Sequence, residues 1–137
     1  MKKDPSLFLD TSALIALINR RDQYHVRIRD YLRDAKEVLA GVTSNLVLAE
    51  FVTFFSRHGA LPEAIQFHQR VLKDPHFRVI WIDAVLHQSS LQVLEKFSEQ
   101  HLSFTDASSV ALMRREKIDR VLAFDEDFHK IGFEVVP

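Results

Sequence analysis

Apolar positions along this chain keep two rhythms. Short apolar runs at residues 6–9, 37–42, 77–82, 120–124 and 134–136 have the length and composition of strands. Between them, apolar residues recur every three or four positions, the period of a helix with one buried face. Thr11 or Ser12 is placed to cap a first helix reaching about Asn19, and Tyr24, Ile28, Tyr31 and Leu32 mark a second. Ser44 or Asn45 opens a third, which ends near Gly59. Leu61-Pro62-Glu63 puts proline in the first helical turn of a fourth, and Asp74-Pro75 stops it. Asp83 starts a fifth, to about Gln100, and Thr105 caps a sixth, to about Lys117. Strands alternating with helices in this way predict an α/β fold: a mostly parallel sheet with helices on both faces, and a ligand site beyond the carboxyl ends of the strands.

Length and composition narrow this picture. The 137 residues hold three Gly and four Pro and no repeat, so one domain over residues 1–137 is expected. With 47% apolar residues and 11 Phe, the chain buries a real core. The absence of Cys removes thiolate zinc sites and thiol nucleophiles. The longest uninterrupted apolar run, residues 13–18, is far short of the roughly 20 residues that span a bilayer, so no membrane association is expected. Nothing near Met1 reads as a secretory signal, and a cytoplasmic location is the expectation. The 18 Lys and Arg nearly balance the 19 Asp and Glu, which by itself advertises no broad nucleic-acid surface.

Several chemistries lack their residues. No glycine-rich phosphate loop, no His-Glu-x-x-His pair and no Gly-x-Ser-x-Gly elbow is present, and the seven His are scattered without metal-ligand spacing. What remains is a set of acids in apolar settings. Asp10 follows Leu7-Phe8-Leu9 where the first strand gives way to the first helix. Glu50 lies in Leu46-Val47-Leu48-Ala49-Glu50-Phe51-Val52-Thr53-Phe54-Phe55, a helix that reads as buried nearly all round. Asp106 follows Thr105 at a helix start, and Asp125 and Asp127 follow the fourth strand. Taken singly, each has an ordinary structural explanation as a cap, a turn residue, a helix-dipole partner or a carboxylate at the edge of its stripe. Taken together, three junction acids on one sheet edge and a fourth on a buried stripe call for a cation, because clustered carboxylates raise each other's pKa values. Oxygen ligands without Cys or His suit Mg2+ or Mn2+, which activate water and stabilise charge on a phosphoryl group. Phosphodiester hydrolysis is the reaction this constellation fits best.

At these residues the sequence resembles the PIN-domain ribonucleases, and among them the VapC-type toxins of type II toxin–antitoxin pairs. The resemblance rests on Phe8-Leu9-Asp10-Thr11-Ser12-Ala13-Leu14, on Thr43-Ser44-Asn45-Leu46-Val47-Leu48-Ala49-Glu50, on the block from Leu102 to Ala111, and on the block from Val121 to Phe128 closed by Gly132-Phe133. Separations of 40, 56 and 19 residues between the four acids carry it across essentially the whole chain. It implies a three-layer α/β/α sandwich and a metal-dependent endoribonuclease. In that reading Asp10, Glu50, Asp106 and Asp125 hold Mg2+ or Mn2+. Thr11, Ser12 and Thr105 orient a carboxylate, water or phosphate oxygen, and Asp127 is an extra acid or a turn residue. It also implies an RNA substrate, an antitoxin protein as partner and a homodimer. Ala123 stands where the family often has Thr, and Lys117 where a helix-ending Gly is common.

A haloacid-dehalogenase-like phosphotransferase needs a second Asp where this chain has Ser12, and it gives the Glu50 block no role. Within the PIN fold the chain could also be a free-standing nuclease of RNA processing or a non-catalytic binding module, and the presence of all four acids argues against the module. Candidate phosphate contacts are Arg20 and Arg21 after the first helix, Arg27, Arg29 and Arg33 on the second, and Arg114, Arg115 and Lys117 ending the sixth. Each also reads as part of a solvated helix face. If four or five acids surround a cation, the remaining surface carries a surplus of bases, and the near-neutral total no longer argues against RNA.

Overall fold

The computed structural model describes residues 6–35 and 40–137. Its elements in chain order are β1 (Ser6–Leu9), α1 (Thr11–Ile18), α2 (His25–Asp34), β2 (Ala40–Ser44), α3 (Asn45–His58), α4 (Leu61–Lys73), β3 (Phe77–Ile80), α5 (Ala84–Lys96), a 3-10 turn (Ser98–Gln100), α6 (Phe104–Glu116), β4 (Arg120–Leu122), α7 (Asp127–Ile131) and β5 (Glu134–Val136). Residues 37–39 of the expected second strand lie outside the described residues.

The strands form one sheet in the order β3-β2-β1-β4-β5, and every pairing is parallel. Chain progress from β1 to β3 runs one way across the sheet; the next connection jumps back past β2 and β1 to place β4 on the other side of β1. The boundary between β1 and β4 is therefore the topological switch point, where the loops leaving two neighbouring carboxyl ends diverge and open a crevice.

Alternation along β1 sends Leu7 and Leu9 to the face covered by α1, α2 and α4, where they help line an apolar cavity of about 90 Å³ with Leu14, Leu17, Ile28 and Phe67. Phe8, fully buried, points to the opposite face, which right-handed crossovers assign to the α5–α6 connection. The result is an α/β/α sandwich. Gly41 is required by close packing: a Cβ there would meet the Phe77 ring at 2.7 Å and the Leu9 side chain at 3.3 Å.

Four features differ from expectation. The N-cap of α1 is Asp10 rather than Thr11 or Ser12, and that of α6 is Ser103 rather than Thr105. The fifth helix stops at Lys96, and a 3-10 turn leads to His101 in the left-handed region (φ 52°) before α6 begins. Finally, residues after Asp125 form a short helix, α7, in place of a polar turn.

Candidate active site

Asp10 ends β1. Its backbone N–H donates to the Leu122 carbonyl at 3.1 Å, tying it to the end of β4. Its carboxylate caps α1, with Oδ2 accepting from the Ser12 N–H at 3.3 Å and from the Ser12 hydroxyl at 2.6 Å. The same Ser12 hydroxyl accepts from the Phe124 N–H at 3.1 Å, so one side chain joins the loop after β1 to the loop after β4. Asp10 is only 4% exposed. Burial pushes its carboxyl up to about 6 despite the Ser12 hydrogen bonds, and the neighbouring Asp125 charge adds to the rise.

Asp106 enters from the first turn of α6. The Ser103 hydroxyl accepts from its N–H at 3.0 Å, fixing the turn from which the carboxylate projects. Burial first, then the charge of Asp10, with smaller contributions from Asp125 and Glu50, raises its carboxyl to about 7; the Ser103 hydroxyl partly offsets them. Carboxylate oxygens of Asp106, Asp125 and Asp127 all lie within 4.8 Å of one another. Asp125 Oδ1 accepts from the Asp127 N–H at 2.9 Å, an Asx turn that starts α7 and aims both acids the same way. Asp127 is also raised, by burial and by its proximity to Asp125.

Glu50 corrects the expectation for its helix. Only Val47, Leu48, Phe51 and Phe55 of α3 are buried, and Ala49, Glu50 and Thr53 face outward. The helix buried on all sides is α6, where every residue from Ala107 through Met113 is buried. The hydroxyls of Ser108 and Ser109 are satisfied there by donating to the Thr105 carbonyl at 2.7 and 3.0 Å. Glu50 reaches the site from the rim, with Oε1 accepting from the Thr11 hydroxyl at 2.8 Å.

The structure thus brings Asp10, Asp106, Asp125 and Asp127 together at the switch point, places Glu50 on their open side, and gives Thr11 and Ser12 to two of the carboxylates. The Thr105 hydroxyl makes no hydrogen bond among the described residues. Arg114 and Arg115 project from the other end of α6, eight and nine residues beyond Asp106 and so about 12 Å along the axis. There Arg114 covers the Phe97 ring at 5.5 Å and Arg115 pairs with Asp83 at 3.6 Å. Sequence reasoning missed Ser103, although Ser103-Phe104-Thr105-Asp106 has the spacing of a capping box.

Oxygen ligands at about 2.0–2.6 Å from one cation lie within about 5 Å of each other, so the three clustered aspartates fit a hard divalent ion. The raised carboxyls of Asp10 and Asp106 point the same way: burial first, and then the charges of neighbouring acids, disfavour their ionised forms in the absence of a counter-ion. An all-oxygen pocket at this place in a parallel sheet is the arrangement of enzymes that act on phosphate esters with metal assistance.

Comparison with known proteins makes the class definite. The PIN domain matches residues 7–134, and the chain belongs to the PIN-domain family, in which it is VapC-like. The 23S rRNA-specific endonuclease VapC20 of Mycobacterium tuberculosis is 34% identical over 135 residues, 96% of this chain and 98% of the relative. The crystal structure of the M. tuberculosis VapC20, described as a sarcin-ricin loop cleaving toxin, superposes with a TM-score of 0.83 at 31% identity, covering 93% of this chain and 95% of that one. A toxin–antitoxin complex from Klebsiella pneumoniae shares the fold at 14% identity, with a TM-score of 0.69 and 96% of both chains covered.

Proposed function

We propose that this chain is an endoribonuclease that cuts RNA at the carboxyl edge of its sheet, with Mg2+ or Mn2+ held by Asp10, Asp106 and Asp125 and with Glu50 and Asp127 beside them. The observation that carries the reading is the convergence of carboxylates from three separate elements on the crevice between β1 and β4. A divalent cation bound there supplies Lewis-acid activation of water and neutralises charge on the phosphoryl group.

The chain's own residues supply the rest. Ser12 holds Asp10 Oδ2, leaving Oδ1 for the site. The Asp127 N–H holds Asp125 Oδ1, leaving Oδ2. Thr11 occupies Glu50 Oε1, so Oε2, on the solvent side, is free to take the proton of an incoming water. Asp106 must give up its proton for the set to act, so acid opposes metal binding, and the acidic limb of the rate profile is expected below the metal-free value of about 7.

The identity to VapC20 supports ribosomal RNA as the first substrate to test, and the toxin–antitoxin complex that shares the fold supports an antitoxin protein as partner; a homodimer is part of the same proposal. Purified chain incubated with 23S rRNA and with total RNA is expected to cleave in millimolar Mg2+ or Mn2+ and to stop in chelator. Asp106→Asn is expected to lower kcat by more than the roughly 10- to 100-fold that follows loss of a group behind a metal ligand. Undiminished cleavage by Asp106→Asn, or by wild type in chelator, would refute the reading.

A further inference from the structure

The far ends of α1 and α3 enclose a second feature, outside the acid cluster. It is an open cleft of about 660 Å³ whose walls include Arg20 and Arg21 from the turn after α1, Phe54 and His58 from α3, and Glu63 from the start of α4. The Asp22 N–H closes the turn on the Asn19 carbonyl at 2.9 Å, so Arg20 and Arg21 occupy its two central positions. Both are exposed, and neither guanidinium makes a hydrogen bond or an ion pair among the described residues. Two adjacent cations left unpaired repel each other, and an anion bridging them removes the repulsion.

The opposite wall is aromatic. His58 stacks on Phe54 with ring centroids 4.2 Å apart and planes 16° from parallel. Its Nδ1 lies 2.8 Å from the Phe54 carbonyl, which can only accept, so Nδ1 carries a hydrogen and donates it. The ring is thereby held flat and exposed instead of swinging freely. Phe54 and His58 stand one and two turns beyond Glu50 on the same helix, about 6 and 12 Å along its axis. Because α1 lies beside α3, with Thr11 touching Glu50 at one end and Ile18 lining the cleft with Phe54 at the other, the cleft and the acid site stand at opposite ends of the same helix pair.

We infer that this cleft binds the single-stranded RNA flanking the cut, with a base stacked on the Phe54–His58 platform and backbone phosphates on Arg20 and Arg21. Unstacked bases on aromatic rings and phosphates on guanidiniums are how proteins take single-stranded RNA. Glu63, the one carboxylate lining the cleft, keeps the phosphates on the α1 side. The inference rests on the nuclease reading for its substrate, and charge complementarity favours a polyanion there over a second protein.

Fluorescence anisotropy of a labelled single-stranded RNA with wild-type chain in chelator, over a salt series, tests binding apart from cleavage. Arg20→Ala/Arg21→Ala is expected to weaken binding and to flatten the slope of log K against log salt by about 1.4, two phosphates at about 0.7 each. Arg20→Lys/Arg21→Lys should keep the slope. His58→Ala should weaken binding roughly tenfold with the slope unchanged, and 4-thiouridine in the RNA should crosslink to the segment holding Phe54 and His58. In Mg2+ the same variants should raise KM and leave kcat near wild type. No binding by wild type, or unchanged slope, affinity and KM in the alanine variants while wild type cleaves, overturns the inference and leaves the nuclease reading standing. Loss of antitoxin binding or self-association in those variants, with RNA binding intact, assigns the cleft to protein contacts and also overturns it. RNA bound in the cleft but not cut with any divalent metal sinks the nuclease reading alone.

Discussion

Asp10 shows how one residue can be structural and chemical at once. As a helix cap it is ordinary: its Oδ2 takes two donors from Ser12. As a buried acid it is strained, with an ionisation near pH 6 against an ordinary value of 3.8. The folded chain therefore binds more protons than the unfolded chain between those values, and stability falls as pH rises through that window. The loss for Asp10 is about 3 kcal/mol, complete above pH 7. An Asn in its place keeps an acceptor for Ser12 and has no charge to bury. Asp10→Asn is accordingly expected to melt roughly 10 °C higher than wild type at pH 8 in chelator, to melt close to wild type at pH 4, and to have lost cleavage. Thermal melts at the two pH values decide it; a destabilised Asn variant at pH 8 would mean that the charge of Asp10 is needed by the fold itself.

Helix α6 carries the site's half-buried acid, Asp106, and it also marks where sequence was hardest to read. Its core-facing character is hidden by Ser108 and Ser109, which look polar until their hydroxyls are seen bonded back to Thr105. The run of apolar letters in α3 misleads in the opposite direction, because Ala49 and Thr53 are small enough to face outward beside Glu50 at no great cost. Strands, helix caps such as Ser44 and the junction positions of Asp10 and Asp125 were legible, since each depends on local rules. The end of α6 was half legible: Lys117 does take the left-handed conformation, φ 57°, that a glycine would adopt more easily. Ser103 supplies the element's own prediction. Ser103→Ala removes the cap, expected to destabilise the chain by about 1 kcal/mol, and also removes a hydrogen bond that holds the Asp106 carboxyl down. The acidic limb of the kcat profile should then move to higher pH. A stability loss with an unmoved limb would confine Ser103 to the cap.

At the scale of the whole molecule, what sequence could not supply is strand order, because pairing between strands far apart in the chain is decided by how the helices pack and not by any local signal. The order β3-β2-β1-β4-β5 puts β1 at the centre and so brings acids separated by more than 100 residues to one crevice. It also divides the charge: within a net −1, carboxylates cluster at the switch point, while Arg20 and Arg21, without partners among the described residues, stand beyond the far end of α1. Folding thus concentrates repulsion at one point, and a cation is the natural remedy. Metal binding and proton binding relieve the same repulsion and must compete for it. Divalent metal should therefore raise the melting temperature of wild type strongly at pH 8, where Asp10 and Asp106 are ionised, and hardly at pH 5, where both are protonated in the folded chain. In Asp10→Asn and Asp106→Asn the gain at pH 8 should shrink. Differential scanning calorimetry with Mg2+, Mn2+ and chelator at the two pH values makes the comparison, and an equal gain at both would place the bound ion away from these acids.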